Sequence, residues 1–378
     1  MKRFLFVILV LFLTAGFARA QVYRFAVICD TRSDSGENGK NGVNIAAVKG
    51  LCKQFNLRGV EFVLGPGDFI CGNVNWYKPK PPANDTQYQT FLKAASTQGI
   101  GLPGSGNKIL FYPVRGNHEA YYDIVSKGDA EKAWIKNMGV FLPKNGPVNE
   151  LGFTYSFLYK NSLFMGLDQF INADIKKKTG ISVNNKWIEK QLKKHPGAEH
   201  VFVFGHTPAF TAHHKDCFAQ NPLVRNKFLR SVHEKTFAYF CGHDHFYARA
   251  RIPVYKEDGK IIESYIEQII IPGGAPFLTG NRKDNHKWDG IYLNKDVVGE
   301  TYIDNSVGFL LVTVDDDKID MEYIATNDAC SFYKDEKGVY HYTYNEKWET
   351  WNFVTMDRKK AQKKSRNRCT DNTFSPFH

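Results

Sequence analysis

The sequence predicts an α/β fold whose buried strands end in polar turns. Two observations carry this prediction. Short apolar runs stop at polar turns, most of which contain glycine, as in YRFAVICDTR, VEFVLGPGD, KILFYPVRGNHE and HVFVFGHTP. Helix-like stretches alternate with these runs, over residues 43–55, 86–95 and 184–195. The alternation is typical of an α/β domain, in which functional residues collect where strands end.

The second half of the chain adds antiparallel strand pairs to this pattern. One hairpin is predicted around Lys160 and Asn161, and another within residues 248–271 around Asp258 and Gly259. The stretch GFLLVTVDDDKIDMEYI predicts a further pair. Beyond Ala325 the composition shifts to Tyr, Lys and Asn. We therefore predict one domain over residues 21–325 and an appended C-terminal extension over residues 326–378.

The first twenty residues have the features of an export signal. Lys2 and Arg3 precede an apolar run that ends in Ala18-Arg19-Ala20, a small-x-small cleavage pattern. About fourteen apolar residues are short for a membrane span, which needs about 20, and an uncleaved N-terminal anchor is the alternative. We therefore predict a signal peptide over residues 1–20, no transmembrane span after its cleavage, and an exported protein that is either periplasmic or secreted.

The charge is positive and concentrated near the C-terminus. Lys and Arg outnumber Asp and Glu by 50 to 39, a formal charge of +11, and loss of the three basic residues of the signal leaves +8. The basic side chains of the tail are Arg358, Lys359, Lys360, Lys363, Lys364, Arg366 and Arg368. Such a segment is usually solvated, and contact with anionic surfaces is the alternative. No nucleic-acid-binding motif accompanies it.

Side chains that commonly bind metals follow the predicted strands. They are Asp30, Asp68, Asn117, His206, and the pair His243 and His245. Glycine directly precedes each of these groups except Asp30, which permits the tight turns and close backbone approach of a buried cation site. In an extended GHDH segment both imidazoles leave on one face and Asp244 on the other. Carboxylate, amide and imidazole suit divalent and trivalent ions of borderline or hard character, whereas the cysteine spacing of an all-thiolate zinc site is missing.

The motifs resemble those of a known superfamily. The blocks CDTR, GPGD, RGNHE, FGHTP and GHDH, with IIPGGAPF and GFLLVTV, are similar to those of calcineurin-like metallophosphoesterases, most closely the purple acid phosphatase branch. The resemblance implies a two-metal site in a sandwich of two β-sheets flanked by helices. It assigns the first metal to Asp30 and His245, with Asp68 bridging both ions. It assigns the second metal to Asn117, His206 and His243.

The resemblance also implies hydrolysis of a small phosphoester. Two ions of Fe, Mn or Zn would lower the pKa of a shared water and clamp the attacking and leaving oxygens, so that a metal-bound hydroxide attacks phosphorus. His118 matches no ligand position, and we expect it to protonate the leaving group or to stabilise the pentacoordinate charge. A phosphomonoester substrate is expected. The alternatives are a phosphodiesterase of the same fold and an inactive protein that binds metal or phosphate.

The first metal site departs from the superfamily pattern. Its members usually have Asp-x-His in the first block, whereas purple acid phosphatases have Asp-x-Gly and a tyrosine three residues after the bridging aspartate. Here Arg32 and Cys71 occupy these positions, so the ferric-tyrosinate colour is not expected. Arg32 either contacts the phosphate or Asp30, or forms a plain structural ion pair. Cys71 is either a thiolate ligand or a buried thiol or disulfide partner.

Further polar residues near the motifs are weaker candidates. His213 and His214 follow the His206 loop, where they either line the substrate mouth or are ordinary exposed histidines. Asp168 ends a predicted strand, a position from which it would support a metal ligand. Glu119 either orients His118 or is a surface side chain.

Overall fold

The computed structural model describes residues 22–32, 42–72, 82–120, 127–174, 179–211, 214, 217–274, 294–303, 306–326, 331–334, 340–343 and 347–357. Its helices are α1 (Ile45–Leu57), α2 (Asn84–Ser96), α3 (Asn117–Ala120), α4 (Lys127–Asn137), α5 (Asn185–Lys194) and α6 (Pro222–Val232). Its strands are β1 (Tyr23–Val27), β2 (Phe62–Gly65), β3 (Ile100–Gly101), β4 (Ile109–Pro113), β5 (Tyr155–Tyr159), β6 (Ser162–Gly166), β7 (His200–Phe204), β8 (Thr236–Cys241), β9 (Tyr247–Tyr255), β10 (Ile262–Ile270), β11 (Val298–Ile303), β12 (Gly308–Asp315), β13 (Lys318–Thr326), β14 (Ser331–Lys334), β15 (Tyr340–Thr343) and β16 (Trp348–Asp357).

The described strands form two seven-stranded sheets and one small hairpin, β14–β15. The first sheet has the order β16-β13-β12-β1-β2-β4-β3, with β1, β2, β4 and β3 parallel and the other three strands antiparallel. The second sheet has the order β11-β9-β10-β8-β7-β6-β5, with β10, β8, β7 and β6 parallel. The carboxyl ends of the parallel strands of each sheet lie at one edge, because those strands run the same way.

Aromatic side chains fill the space between the two sheets. The ring centroid of Phe25 in β1 lies 5.2 Å from that of Phe164 in β6 and 5.1 Å from that of Phe202 in β7. Phe62 of β2 lies 5.1 Å from Phe164, and all four rings are buried. Edge-to-face pairs of this kind add about 0.5–1.5 kcal/mol each beyond the area that they bury. Every residue of β2, β6 and β7 is buried, which explains why these strands are continuous apolar runs.

Helices cover the outer faces of the sandwich. On the first sheet, α1 packs Phe55 against Phe309 of β12, with 5.0 Å between centroids. On the second sheet, α6 packs Phe228 against Tyr239 of β8 at 5.3 Å. Asparagine side chains cap the starts of α1, α5 and α6 by accepting backbone N–H groups, as such caps commonly do; they are Asn44, Asn184 and Asn221. The two-sheet sandwich flanked by helices is therefore confirmed.

The predicted strand pairs are also present. β5 and β6 pair antiparallel across Lys160 and Asn161, and β9 pairs with β10 across Asp258 and Gly259. β12 and β13 form the third pair, from Gly308↔Ala325 to Asp315↔Lys318. In each case polar residues separate two apolar runs, and the chain reverses direction at those polar residues.

Strand β16 lies in the segment predicted to be a C-terminal extension. It pairs antiparallel with β13 from Trp348 to Asp357 and forms an edge of the first sheet. Its half-buried apolar side chains pack against the main core; they are Trp348, Trp351, Val354 and Met356. Residues 348–357 therefore belong to the first sheet. The basic tail lies outside the described residues.

No helix in the described part of the chain is long and apolar enough to cross a membrane. The predicted signal peptide, residues 1–20, lies outside the described residues.

Candidate metal centre

The predicted metal ligands come from the ends of strands in both sheets. Asp30, Asp68 and Asn117 follow β1, β2 and β4 of the first sheet. His206 follows β7 of the second sheet, and His243 and His245 lie between β8 and β9. All six side chains are buried, with exposed fractions of 3% or less. The first sheet thus supplies the oxygen ligands, and the second sheet supplies the imidazoles.

One group of candidate ligands forms around Asn117. Its Oδ1 lies 2.7 Å from His206 Nε2 and 2.9 Å from His243 Nδ1. The two imidazole nitrogens are 3.2 Å apart. Asp68 Oδ1 lies 3.4 Å from His206 Nε2. Because tetrahedral ligands about 2.1 Å from a zinc ion lie about 3.4 Å from one another, these contacts have the spacing of a ligand shell.

A second group shares Asp68 with the first. The ligand atoms of Asp30, Asp68 and His245 all lie within 4.8 Å of one another. His245 Nε2 is 3.2 Å from Asp30 Oδ1. Burial by itself would raise the pKa of Asp30, but the imidazole of His245 opposes burial and brings that pKa below its usual range. The Asp30 carboxylate is therefore ionised and suited to a cation.

The donor atoms fit metal ions. Asp30 Oδ1 is buried and accepts no hydrogen bond from the described residues, a costly state that a cation would relieve. The carbonyl of Pro66 lies 2.8 Å from His206 Nδ1, so that Nε2 is the nitrogen left to face the cluster. Burial lowers the pKa of both His206 and His245, which favours the neutral imidazole that a metal requires. Mixed carboxylate, amide and imidazole donors suit Fe, Mn or Zn.

Four of the six candidate ligands have left-handed backbone conformations. The φ angles are 49° at Asp30, 59° at Asp68, 71° at His243 and 58° at His245. Residues with side chains seldom adopt this region, at a cost of about 1–3 kcal/mol each. Such conformations cluster at functional sites, where the surrounding structure enforces them. Of the six non-glycine residues with positive φ in the described part of the chain, four are candidate ligands, and the other two, Lys160 and Asp316, lie between paired strands.

The glycines before the ligands are required by close packing. A Cβ atom at Gly116 would strike Asp68 Oδ1, and one at Gly242 would strike Asp30 Oδ2. Each glycine therefore makes room for a carboxylate that comes from a neighbouring loop. Only glycine fits where the backbone must come this close to another group.

His118 lies beside the shared aspartate. Its Nε2 is 3.9 Å from Asp68 Oδ2, and its Nδ1 is 2.8 Å from the carbonyl oxygen of Cys71. An N–H at Nδ1 donates to that carbonyl, which fixes the orientation of the ring. Burial, together with the positive charge of Arg32, lowers the pKa of His118 well below its usual value. The imidazole is therefore neutral in the protein without substrate.

Glu119 has a role that neither predicted alternative describes. It is completely buried, so it is not a surface side chain. Its carboxylate accepts backbone hydrogen bonds instead, from Gly116 at 2.7 Å, from Asp68 and Phe69 at 2.8 Å, and from Ile70 at 3.2 Å. Burial and the charge of Asp68 raise the pKa of Glu119 to about 7. Glu119 thus ties the loop after β2 to the loop after β4.

Arg32 and Cys71 occupy the positions where the sequence departs from the superfamily pattern that its motifs resemble. Arg32 is buried, and its Nε lies 3.4 Å from Asp68 Oδ2. The described group of mutually close ligand atoms contains Asp30, Asp68 and His245 but not the Cys71 thiol. What Cys71 contributes is the backbone carbonyl that holds His118.

His214 lies beside the cluster and is partly exposed. Its ring centroid is 4.5 Å from that of His243, and its side chain keeps 27% exposure. Its Nδ1 and backbone N–H both contact the carboxylate of Asp244. His213, the other predicted histidine of this loop, lies outside the described residues.

Asp168 acts through Arg115, a residue that sequence reasoning missed. Arg115 Nε and Nη2 donate to the Asp168 carboxylate at 2.6 and 3.0 Å, and both side chains are buried. The guanidinium carbon also lies 4.3 Å from the centroid of the Phe153 ring. Since Arg115 stands two residues before Asn117, this pair anchors the start of the ligand loop. The sequence signal that could have identified Arg115 is an arginine directly before GNHE.

Fold and site together define an α/β sandwich with a cluster of oxygen and imidazole donors at its strand ends. Residues 23–247 match the model of the calcineurin-like phosphoesterase family. The match spans more than half of the 378 residues, and the chain belongs to this family. The resemblance seen in the motifs is thereby confirmed at the level of the superfamily. No match was found among curated proteins.

Solved structures give a similar result for the fold. PhoD matches with a TM-score of 0.59 at 10% identity, covering 89% of this chain and 70% of PhoD. A dimetal phosphatase from Danio rerio matches at 15% identity with a TM-score of 0.47, covering 80% of this chain and 95% of that protein. At such low identities, the similarity to PhoD concerns the fold alone.

Proposed function

We propose that this protein is an exported two-metal phosphoester hydrolase that acts on phosphomonoesters. The observation that carries the proposal is the position of Asp68, which belongs to two adjoining groups of candidate ligands and lies beside His118. Membership of the phosphoesterase family supports a phosphoester substrate. The monoester preference rests on the resemblance to purple acid phosphatases and on His118 as a proton donor for a poor leaving group.

The two groups of residues would each hold one ion. The first ion would be held by Asp30, Asp68 and His245, and the second by Asp68, Asn117, His206 and His243. When bound, such a pair of ions lowers the pKa of a water and stabilises the attacking and leaving oxygens of an in-line displacement. Iron, manganese and zinc all suit this donor set.

His118 would deliver a proton from Nε2 to the leaving oxygen. The hydrogen bond from Nδ1 to the Cys71 carbonyl keeps the ring in one orientation, so that Nε2 faces Asp68 Oδ2. The neutral imidazole gains a proton more readily once a phosphate dianion arrives, because a nearby negative charge raises its pKa. Arg32, buried beside Asp68, would donate to a phosphate oxygen in a charge-assisted hydrogen bond.

The branch and the location of the protein are part of the proposal. The order of the motifs supports the purple acid phosphatase branch, but Cys71 stands where that branch has tyrosine. An iron-loaded form is therefore expected to lack the tyrosinate colour. Export rests on the signal pattern of residues 1–20, and contact of the basic tail with anionic surfaces stays a prediction.

Metal analysis combined with two substrates tests the proposed function. The chain from residue 21 onward is purified, loaded with Fe, Mn or Zn, and assayed with p-nitrophenyl phosphate and its bis-ester. We expect about two ions per chain and faster turnover of the monoester. His118→Ala should retain the ions and lose about 10²–10⁴-fold in kcat, because it removes a positioned proton donor. His195→Ala, which changes a partly exposed side chain at the end of α5, is the matched control.

Other results would assign the protein differently. Faster turnover of the bis-ester would indicate a phosphodiesterase. One ion or none, with no turnover of either ester, would indicate a metal- or phosphate-binding protein. The buried Arg32 favours the metal- or phosphate-binding protein, since a fixed positive charge 3.4 Å from Asp68 opposes a cation at the same carboxylate.

A further inference from the structure

The acidic residue between the two histidines of GHDH binds the loop that carries His214. Asp244 is completely buried. Its Oδ1 accepts hydrogen bonds from the backbone N–H and from Nδ1 of His214, at 2.9 and 3.0 Å. Thr211 Oγ1 donates to Oδ2 of the same carboxylate at 3.0 Å.

His214, which Asp244 holds, lies next to two of the candidate metal ligands. Its ring centroid lies 4.5 Å from that of His243 and 6.1 Å from that of His245. Both of those rings are buried, whereas the His214 side chain keeps 27% of its surface exposed. Of these three imidazoles, that of His214 is the one with substantial contact with solvent.

The hydrogen bonds also select which nitrogen of His214 meets that molecule. A carboxylate can only accept, so Nδ1 carries a proton toward Asp244. Nε2 is the nitrogen that then points to other partners, and the backbone bond at His214 restricts the movement of the ring. One carboxylate thus fixes both the tautomer and the place of this imidazole.

We propose that Asp244 is a positioning residue that holds His214 at the mouth of the metal centre, with Nε2 directed at the oxygens of a phosphoester. This inference rests on the proposed function, and it identifies Asp244 as the residue that, through His214, orients the substrate. Asp244 is covalently adjacent to His243 and His245, so its hydrogen bonds tie the loop of His214 to the segment that carries two candidate ligands. Carboxylates that orient metal-bound histidines commonly contribute about 10–100-fold to activity, and we expect an effect of this order for Asp244 acting on His214.

A double-mutant cycle tests whether Asp244 acts by positioning His214 or by supporting the metal site in general. The variants are Asp244→Asn, His214→Ala and their combination, each in the metal-loaded chain from residue 21 onward. We expect each single change to lower kcat/KM for p-nitrophenyl phosphate by about 10-fold, with bound metal at the wild-type level. The double variant should be no worse than His214→Ala, because Asp244 acts through that ring. Multiplied losses, or a loss of metal in Asp244→Asn, would overturn the proposal.

A second readout does not depend on turnover. In zinc-loaded protein with ¹⁵N-labelled histidine, NMR should show His214 protonated at Nδ1, and Asp244→Asn should change that tautomer. Inorganic phosphate should also bind more weakly to this variant. Glu257→Gln, an exposed carboxylate in the β9–β10 turn, is the control and should change neither signal. If the wild type lacks turnover, the proposed function fails while these readouts still test Asp244; an unchanged His214 tautomer would contradict it.

Discussion

Glu119 connects the backbone of two ligand loops through a single side chain. Its two carboxylate oxygens accept four backbone N–H groups, three from the loop after β2 and one from the loop after β4. These loops carry Asp68 and Asn117, which belong to the same candidate ligand group. The distance between the two ligands is therefore set by a residue that contacts no metal, as is common around metal sites.

Replacement of Glu119 by glutamine should be strongly destabilising. Glutamine keeps one acceptor oxygen but turns two N–H donors toward backbone donors, which leaves buried groups without partners. We expect a loss of about 2–4 kcal/mol in the free energy of unfolding, measured by urea denaturation. Glu189→Gln, on the exposed face of α5, should change stability by less than about 0.5 kcal/mol. Equal midpoints for the two variants would contradict the role of Glu119.

At the scale of elements, strand ends were easier to predict than backbone shape. The apolar runs before Asp68, Asn117, His206 and His243 mark buried strands, and a glycine follows each run, so both the strand and its functional end are visible in the sequence. The left-handed φ angles of four candidate ligands, Asp30 among them, are not visible there. Tertiary packing imposes them against local preference.

The edge strand β16 shows a second limit of sequence patterns. The stretch WETWNFVTMD has strand-forming residues, but it follows a polar segment whose composition resembles a tail. Its place in the first sheet depends on pairing with β13, a contact between distant parts of the chain. Asn352 of β16 also accepts a hydrogen bond from Tyr247 of β9 at 2.9 Å, so the strand contacts the second sheet as well.

Two aromatic residues of β16 should differ sharply in their contribution to stability. Trp348 packs against the core, with its ring centroid 6.2 Å from that of Phe309, whereas Phe353 is 56% exposed. Because it removes buried contacts, Trp348→Ala should lower the free energy of unfolding by about 2–3 kcal/mol. Phe353→Ala should cost less than about 0.5 kcal/mol. Similar urea midpoints for the two variants would show that β16 does not pack as described.

At the scale of the whole molecule, the candidate metal centre joins the two sheets. Each group of ligands combines oxygen donors after strands of the first sheet with imidazoles after strands of the second. Without a cation, the carboxylates of Asp30 and Asp68 lie with oxygens within 4.8 Å of each other in a buried place. Such a pair of carboxylates is unfavourable in a medium of low polarity. Bound ions would remove the repulsion and link one sheet to the other.

Metal removal should therefore lower the stability of the entire fold rather than loosen one loop. An ion that binds only the folded chain adds about 2.7 kcal/mol when its concentration is 100 times its Kd. For a chain of this size, we expect chelation to lower Tm by about 5 °C or more in differential scanning calorimetry. His243→Ala removes a ligand from the second sheet and should abolish much of this difference, whereas His195→Ala should retain it. Equal Tm values for metal-stripped and metal-loaded wild type would show that no ion bridges the sheets. An undiminished Tm difference in His243→Ala would show that the ions bind elsewhere.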